Sequence, residues 1–141
     1  SAMSPAAVEG MNLFFGKARC SICHNGPAFT DNKFHNIGVK AEGPLKEDLG
    51  RFNVTKDEAD AGAFKTPGLR HITRSAPYMH NGSEATLKDV IDFYNRGGDV
   101  KKNKSAFITP LALNEQEKKN LVEFLRALEG DPIIVSLPEL P

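Results

Sequence analysis

From residue 25 to residue 86, roughly sixty positions, the sequence shows little hydrophobic periodicity of either the helical or the strand kind. A structureless connection of that length is abnormal in a compact domain unless something inside the domain organises it. The residues just before it supply a candidate. Cys20-Ser21-Ile22-Cys23-His24 is a C-x-x-C-H run. In that pattern two thiols add across the vinyl groups of a porphyrin, and the adjacent imidazole is held beneath the iron as proximal ligand. The large apolar face of a haem replaces the missing side-chain core. These are the chain's 2 cysteines, which rules out a disulfide framework and concentrates thiol chemistry at one place. Two other uses of the motif fit less well. A thioredoxin-type C-x-x-C needs a βαβ context, and no strands are predicted beside it. A zinc site needs four ligands, and His35, His71 and His80 do not stand at finger-like spacing. The expected cofactor is one covalent haem c on Cys20, Cys23 and His24.

Three stretches read as helices. The first covers 5–17, with Ser4 as N-cap, Pro5 at the first helical position, and Val8, Met11 and Phe15 recurring at helical spacing with Phe14 beside them. The second covers 87–95. Thr86 and Asp89 resemble a capping box, and Leu87, Val90, Ile91 and Tyr94 make an i, i+3, i+4, i+7 stripe before Gly97-Gly98. The third covers 115–129, opened by Asn114 and Glu117, with Leu121, Val122, Leu125 and Leu128 on its predicted buried face. The apolar, proline-punctuated run 133–138 reads as an extended strap. The resulting fold class is all-α: a cytochrome c-type fold of three main helices with long loops wrapped around one haem.

Composition agrees with this. The 141 residues, 40% hydrophobic, suit a single domain with a modest core. Residues 1–3 read as a tag remnant and 4–141 as the domain, so the lack of a signal peptide says nothing about compartment. Lys and Arg number 18, as do Asp and Glu. A balanced charge does not suggest nucleic acid or an anionic membrane as partner, and no apolar run is long enough for membrane insertion.

Longer motifs carry a resemblance. Phe14-Phe15-Gly16-Lys17-Ala18-Arg19 precedes the C-x-x-C-H run and Asn25-Gly26-Pro27-Ala28-Phe29-Thr30-Asp31 follows it. Further along stand Phe34-His35-Asn36-Ile37-Gly38, Phe64-Lys65-Thr66-Pro67-Gly68-Leu69-Arg70 and Ala76-Pro77-Tyr78-Met79-His80-Asn81-Gly82. With 86–98 and Leu111-Ala112-Leu113, these resemble the C-terminal haem domain of bacterial di-haem cytochrome c peroxidases, especially the MauG-like branch. That family carries two haems in two domains and handles peroxide at the N-terminal one; this chain has one C-x-x-C-H and matches the other half. The resemblance therefore implies electron transfer rather than peroxide turnover by this chain alone. A peroxidase or MauG-like oxidase, acting through an open haem or with a missing second domain, is the alternative. It also implies a periplasmic location, since cytochrome c maturation lies outside the bacterial cytoplasm, and redox partner proteins or a neighbouring haem domain as partners. The family's calcium lies between its two domains, partly on carbonyls matching 75–77; with the partner domain missing, no calcium is expected.

The ligand opposite His24 stays open between Tyr94, Met79 and an unfilled position. Met79 is the chemist's first guess, because His/Met ligation is common in cytochromes c. It precedes the second helix, however, whereas Tyr94 sits at that helix's end, where MauG-like members are similar in having Tyr. Each also has a plainer role, Met79 as gap filler and Tyr94 as core. Arg70 is the preferred partner for the haem propionates over Arg51 and Arg74. His80 is expected near the haem edge or a propionate, while His35 and His71 are expected to bond loop backbone. The Pro27 carbonyl is expected to hold the second nitrogen of the His24 ring. The basic run 101–104 is either a docking patch for an acidic redox partner or a solvated loop.

Overall fold

The computed structural model describes residues 3–43, 47–131 and 135. Helix α1, Pro5–Phe15, starts where Ser4 Oγ accepts the Ala7 N–H at 3.1 Å, with Pro5 where no amide hydrogen is needed. It ends two residues before the expected 17. Gly16 leaves helical geometry, and its N–H closes onto the Asn12 and Leu13 carbonyls. The buried face is also rotated from the expected one. Ala7, Gly10 and Phe14 point inward, whereas Val8 is 38% and Phe15 56% exposed. The cause is close approach to a second helix. A Cβ on Gly10 would overlap the backbone carbonyl of Asn120, so the glycine marks the crossing point and Phe14, one turn on, follows it inward.

The aperiodic middle is not strand-free. Strand β1, Phe34–His35, pairs antiparallel with β2, Phe64–Lys65. Between them lie a one-turn helix α2, Phe52–Thr55, and a 3₁₀ turn at Glu58–Asp60. Polar side chains organise this region. Asn36 Nδ2 donates to the Ala61 carbonyl at 3.0 Å, and Asn103 Nδ2 reaches the same carbonyl at 2.9 Å and that of Glu58 at 3.0 Å. Arg51 and Thr55 both bond Asp60, at 3.0 and 2.8 Å. The run 101–104 divides accordingly. Lys104 donates to the Gly97 carbonyl and Asn103 ties loops together, while Lys101 and Lys102 are exposed.

Helix α3, Leu87–Arg96, opens with a reciprocal Thr86–Asp89 capping box and closes at Gly97, whose φ of +83° suits glycine. Leu87 and Ile91 join the core. Phe93, 0% exposed, is buried on another face beneath the Arg96 guanidinium, 5.3 Å from its ring. Helix α4, Glu115–Ala127, has the expected Asn114–Glu117 box and stops before 129. Phe124 joins Leu121 and Leu125 on its buried face, and Val122 is only partly covered. The Phe14 and Phe124 rings meet edge-on at 5.1 Å across the α1–α4 crossing. The molecule is thus helical with few strands. No described helix is long and apolar enough to cross a membrane. The strap expected at 133–138 lies outside the described residues except for the exposed Val135.

Candidate functional site

Leaving α1, the chain passes through Arg19 in the left-handed region, φ 54°, into a 3₁₀ turn at Cys20–Ile22. The Cys20 carbonyl accepts from Cys23 N–H at 3.3 Å and His24 N–H at 2.9 Å, which curls the motif on itself. Two adjoining cavities of about 510 and 100 Å³ open beside it, and Cys23, His24, Leu69, Val90 and Leu125 border both. Their shared walls are apolar apart from the motif itself.

The His24 ring is held from behind. Its Nδ1 lies 2.9 Å from the Phe29 carbonyl, so Nδ1 carries the hydrogen and donates it, leaving Nε2 bare. The expected acceptor was Pro27. That carbonyl instead accepts from Arg70 Nε at 2.9 Å. The difference comes from Gly26 and Phe29, with φ of +68° and +54°. They turn the chain back so that the later carbonyl faces the imidazole. Burial lowers the His24 pKa against the opposing pull of the Phe29 and Pro67 carbonyls, which favours the neutral, metal-binding ring. Burial also pushes the Cys20 thiol up to about 12. Cys23 is raised by burial and by the Asp31 carboxylate.

An unforeseen pair stands beside Cys23. Asp31 Oδ2 and His35 Nε2 are 2.8 Å apart, and the ligand atoms of Cys23, Asp31 and His35 all lie within 4.8 Å of one another. Burial raises the Asp31 carboxyl, but hydrogen bonds from His35, the Lys33 amide and Thr66 together outweigh it and bring it to about 2. His35 was expected to bond loop backbone; its ring meets a carboxylate instead. The i, i+4 spacing of an acid and a histidine was the available signal, but outside a helix that spacing does not imply contact.

The remaining candidates divide between the cavities. Arg70, His71, Met79 and His80 line the larger one. The Arg70 guanidinium lies 5.0 Å over the Phe29 ring. His80 stacks on Phe64 with centroids 3.6 Å apart, its Nε2 is 3.5 Å from Asp48, and burial lowers its pKa. Met79 has a left-handed backbone, φ 68°, an uncommon conformation for an L-residue. Tyr94 lines the smaller cavity with Cys20, Cys23 and His24. Burial drives its hydroxyl pKa upward, with the neighbouring thiols adding to the effect. Arg51 and Arg74 are engaged elsewhere, with Asp60 at 3.0 Å and Glu129 at 2.7 Å.

A mainly helical chain folded around a C-x-x-C-H turn and an apolar cleft is an architecture shared with known proteins. The structure of a MauG-like protein associated with microbial copper homeostasis superposes with a TM-score of 0.83 and 33% identity, covering 92% of this chain and 48% of that one. The di-haem peroxidase BthA of Burkholderia thailandensis shares the fold with a TM-score of 0.74 at 22% identity. Sequence relatives agree. Cytochrome-c peroxidase IdrP2 of Denitromonas iodatirespirans is 40% identical over 100% of this chain and 44% of its own length. The methylamine utilization protein MauG of Methylorubrum extorquens is 40% identical over 100% of this chain and 39% of its own. No family model matches the sequence. Over its whole length the chain is homologous to cytochrome c peroxidases and MauG, and it spans less than half the length of these relatives.

Proposed function

We propose that this chain holds one covalent haem c and works as the electron-relaying haem domain, corresponding to the C-terminal half, of a longer peroxidase- or MauG-like protein. One observation carries the reading. Two thiols of a C-x-x-C turn meet, beside an apolar cleft, an imidazole whose Nδ1 is engaged and whose Nε2 is bare. That donor set fits a haem. Cys20 and Cys23 would form the thioethers, and His24 Nε2 would hold the iron. Arg70 and His80, on the larger cavity, suit the propionates. The haem would supply one-electron exchange between Fe(III) and Fe(II), while the protein fixes the ligands and keeps them dry.

Tyr94 is the preferred sixth ligand. It lines the smaller cavity, which all three attachment residues Cys20, Cys23 and His24 border, whereas Met79 lines the larger one with Cys23, His24, Arg70 and His80. An oxygen ligand favours ferric iron and a low potential, and a thioether favours ferrous iron and a high one. Peroxide chemistry in this reading belongs to the full-length protein, as the relatives named peroxidases suggest. The partners are redox proteins or a neighbouring haem domain, and the location is the bacterial periplasm.

Visible spectra in both redox states, with the mass of the protein expressed beside a haem-maturation system, test the proposal. The expected mass is chain plus one haem. Tyr94→Phe should change the ferric spectrum and raise the potential, whereas Met79→Leu should leave both nearly unchanged. A colourless protein would sink the haem assignment, and an unaltered Tyr94→Phe spectrum would sink the ligand assignment alone. The chain by itself should not turn over peroxide.

A further inference from the structure

The connection from α3 to α4 runs over the Tyr94 side of the cleft, where Phe107, Ile108 and Leu111 wall the smaller cavity. Its two ends are tied firmly. Ser105 N–H donates to the Asn36 carbonyl at 2.8 Å. At the far end Asn95 works twice, accepting the Leu113 N–H at 2.8 Å and donating to the Leu113 carbonyl at 3.3 Å, while its own carbonyl takes the Leu111 N–H at 3.1 Å. The middle is different. Phe107 and Ile108 amides bond only within the segment, to Ser105, and Pro110 has no amide hydrogen. Among the described residues, one hydrogen bond ties 106–110 to the rest of the molecule: Arg19 Nη2 donates to Thr109 Oγ1 at 2.5 Å. Arg19 is the left-handed residue directly before Cys20. One hydrogen bond therefore links the attachment turn to the strap over it, beside the packing of Thr109 and Pro110 on Gly97.

We propose that the Arg19–Thr109 hydrogen bond is a latch that keeps segment 106–110 closed over the Tyr94 face, and that it governs how readily small ligands from solution enter to displace Tyr94 from the position opposite His24. Arg19 is here a positioning residue; it acts by holding the strap. The inference rests on the haem reading for its ligand-binding consequence, but the latch itself belongs to the polypeptide. Opening the strap removes Phe107 and Ile108 from the cavity wall and admits water and small ligands such as cyanide or imidazole. An exposed hydrogen bond of this kind is worth about threefold in such an equilibrium.

Cyanide and imidazole binding, followed spectrally on the haem-loaded chain, tests this. Arg19→Ala and Thr109→Val should each raise the association rate about threefold, with haem content and the ligand-free spectrum unchanged. The double variant should gain nothing further, because both changes cut one interaction. Arg19→Lys should restore part of the barrier. A residue that mattered only for stability would lower the melting temperature without this shared, non-additive change in access. Unchanged ligand binding in both single variants at normal haem content would overturn the latch. Should the wild-type chain hold no haem, the cofactor reading fails instead, and the latch is judged by amide exchange. Faster exchange at Phe107 and Ile108 in Arg19→Ala, with Leu111 and Leu113 unaffected, supports it, and equal exchange rejects it.

Discussion

Asp31 illustrates how one residue ties a loop to the site. Its carboxylate accepts from His35 and from the Lys33 amide, and its own amide donates to the Cys23 carbonyl at 2.8 Å. The folded carboxyl sits near 2 against an ordinary 3.8. A depressed acid contributes stability that is fully present above its unfolded value and is lost as pH falls through the folded one. The loss is therefore expected between about pH 4 and 2. Asp31→Asn should cost about 1–2 kcal/mol near neutrality after allowance for solvent screening. It should also flatten the acid limb of the stability curve. Urea midpoints measured from pH 2 to 7 check both expectations. A variant whose acid limb matched the wild type would show that the carboxylate is not the titrating group.

Among the elements, the α1–α4 crossing carries the sharpest steric demand. Gly10 sits where any Cβ would meet the Asn120 carbonyl, a backbone group that cannot rotate away. Alanine is the better helix former by about 1 kcal/mol, so propensity alone predicts that Gly10→Ala stabilises. Overpacking is expected to win, with a net loss of about 1–3 kcal/mol, read as a lower urea midpoint with an unchanged slope. The helix starts offer a milder comparison. Asn114 accepts the Glu117 N–H at 2.9 Å while Glu117 returns a bond to the Asn114 amide at 2.8 Å. Asn114→Ala should cost about 1 kcal/mol, and Asn114→Ser should recover most of it. Lys17 adds an exposed ion pair with Glu117 at 2.8 Å, and exposed pairs of this kind contribute little.

At the scale of the whole molecule, two kinds of order coexist. α1, α3 and α4 pack through Phe14, Ile91, Leu121, Phe124 and Leu125 as an ordinary apolar core. The described part of the segment from 25 to 86 reaches that core through Phe29, Leu69, Ile72 and Tyr78, and is otherwise held by scattered polar ties and by the walls of the cleft. Thr30 Oγ1 donates to the Thr66 carbonyl at 2.7 Å and Leu69 N–H to the Ala28 carbonyl at 3.3 Å, laying 64–70 across 28–35. A ligand that binds only the folded form stabilises it by mass action. Haem loading should therefore protect this middle segment from amide exchange far more than the α1–α4 crossing. Equal protection everywhere would mean that the cleft is not what the middle segment folds around.

Much of the local structure could be read in advance. Ser4, Thr86 and Asn114 were legible as caps, and Cys20, Cys23 and His24 as one motif, because each relation spans only three or four residues and follows from backbone geometry. Leu87, Ile91, Leu121 and Leu125 could likewise be placed inside from their spacing. What could not be read depends on contacts far apart in the chain or on unusual backbone angles. The rotation of α1 toward Phe14 requires Gly10 to meet Asn120. The choice of the Phe29 carbonyl over that of Pro27 requires a left-handed φ at a phenylalanine, which no pattern announces. Asn36 and Asn103 converge on the Ala61 carbonyl from either side of it in the sequence, both far from it along the chain. The aperiodic stretch and the C-x-x-C-H run were the features that led to the family resemblance, and the sequence relatives bear that resemblance out. The fold then added the parts that spacing cannot encode: the carbonyl behind His24, the carboxylate beside Cys23, and the side chains of Phe107 and Ile108 beside Tyr94. Short-range order follows from which residues are neighbours in sequence, whereas the surroundings of the site follow from which surfaces pack.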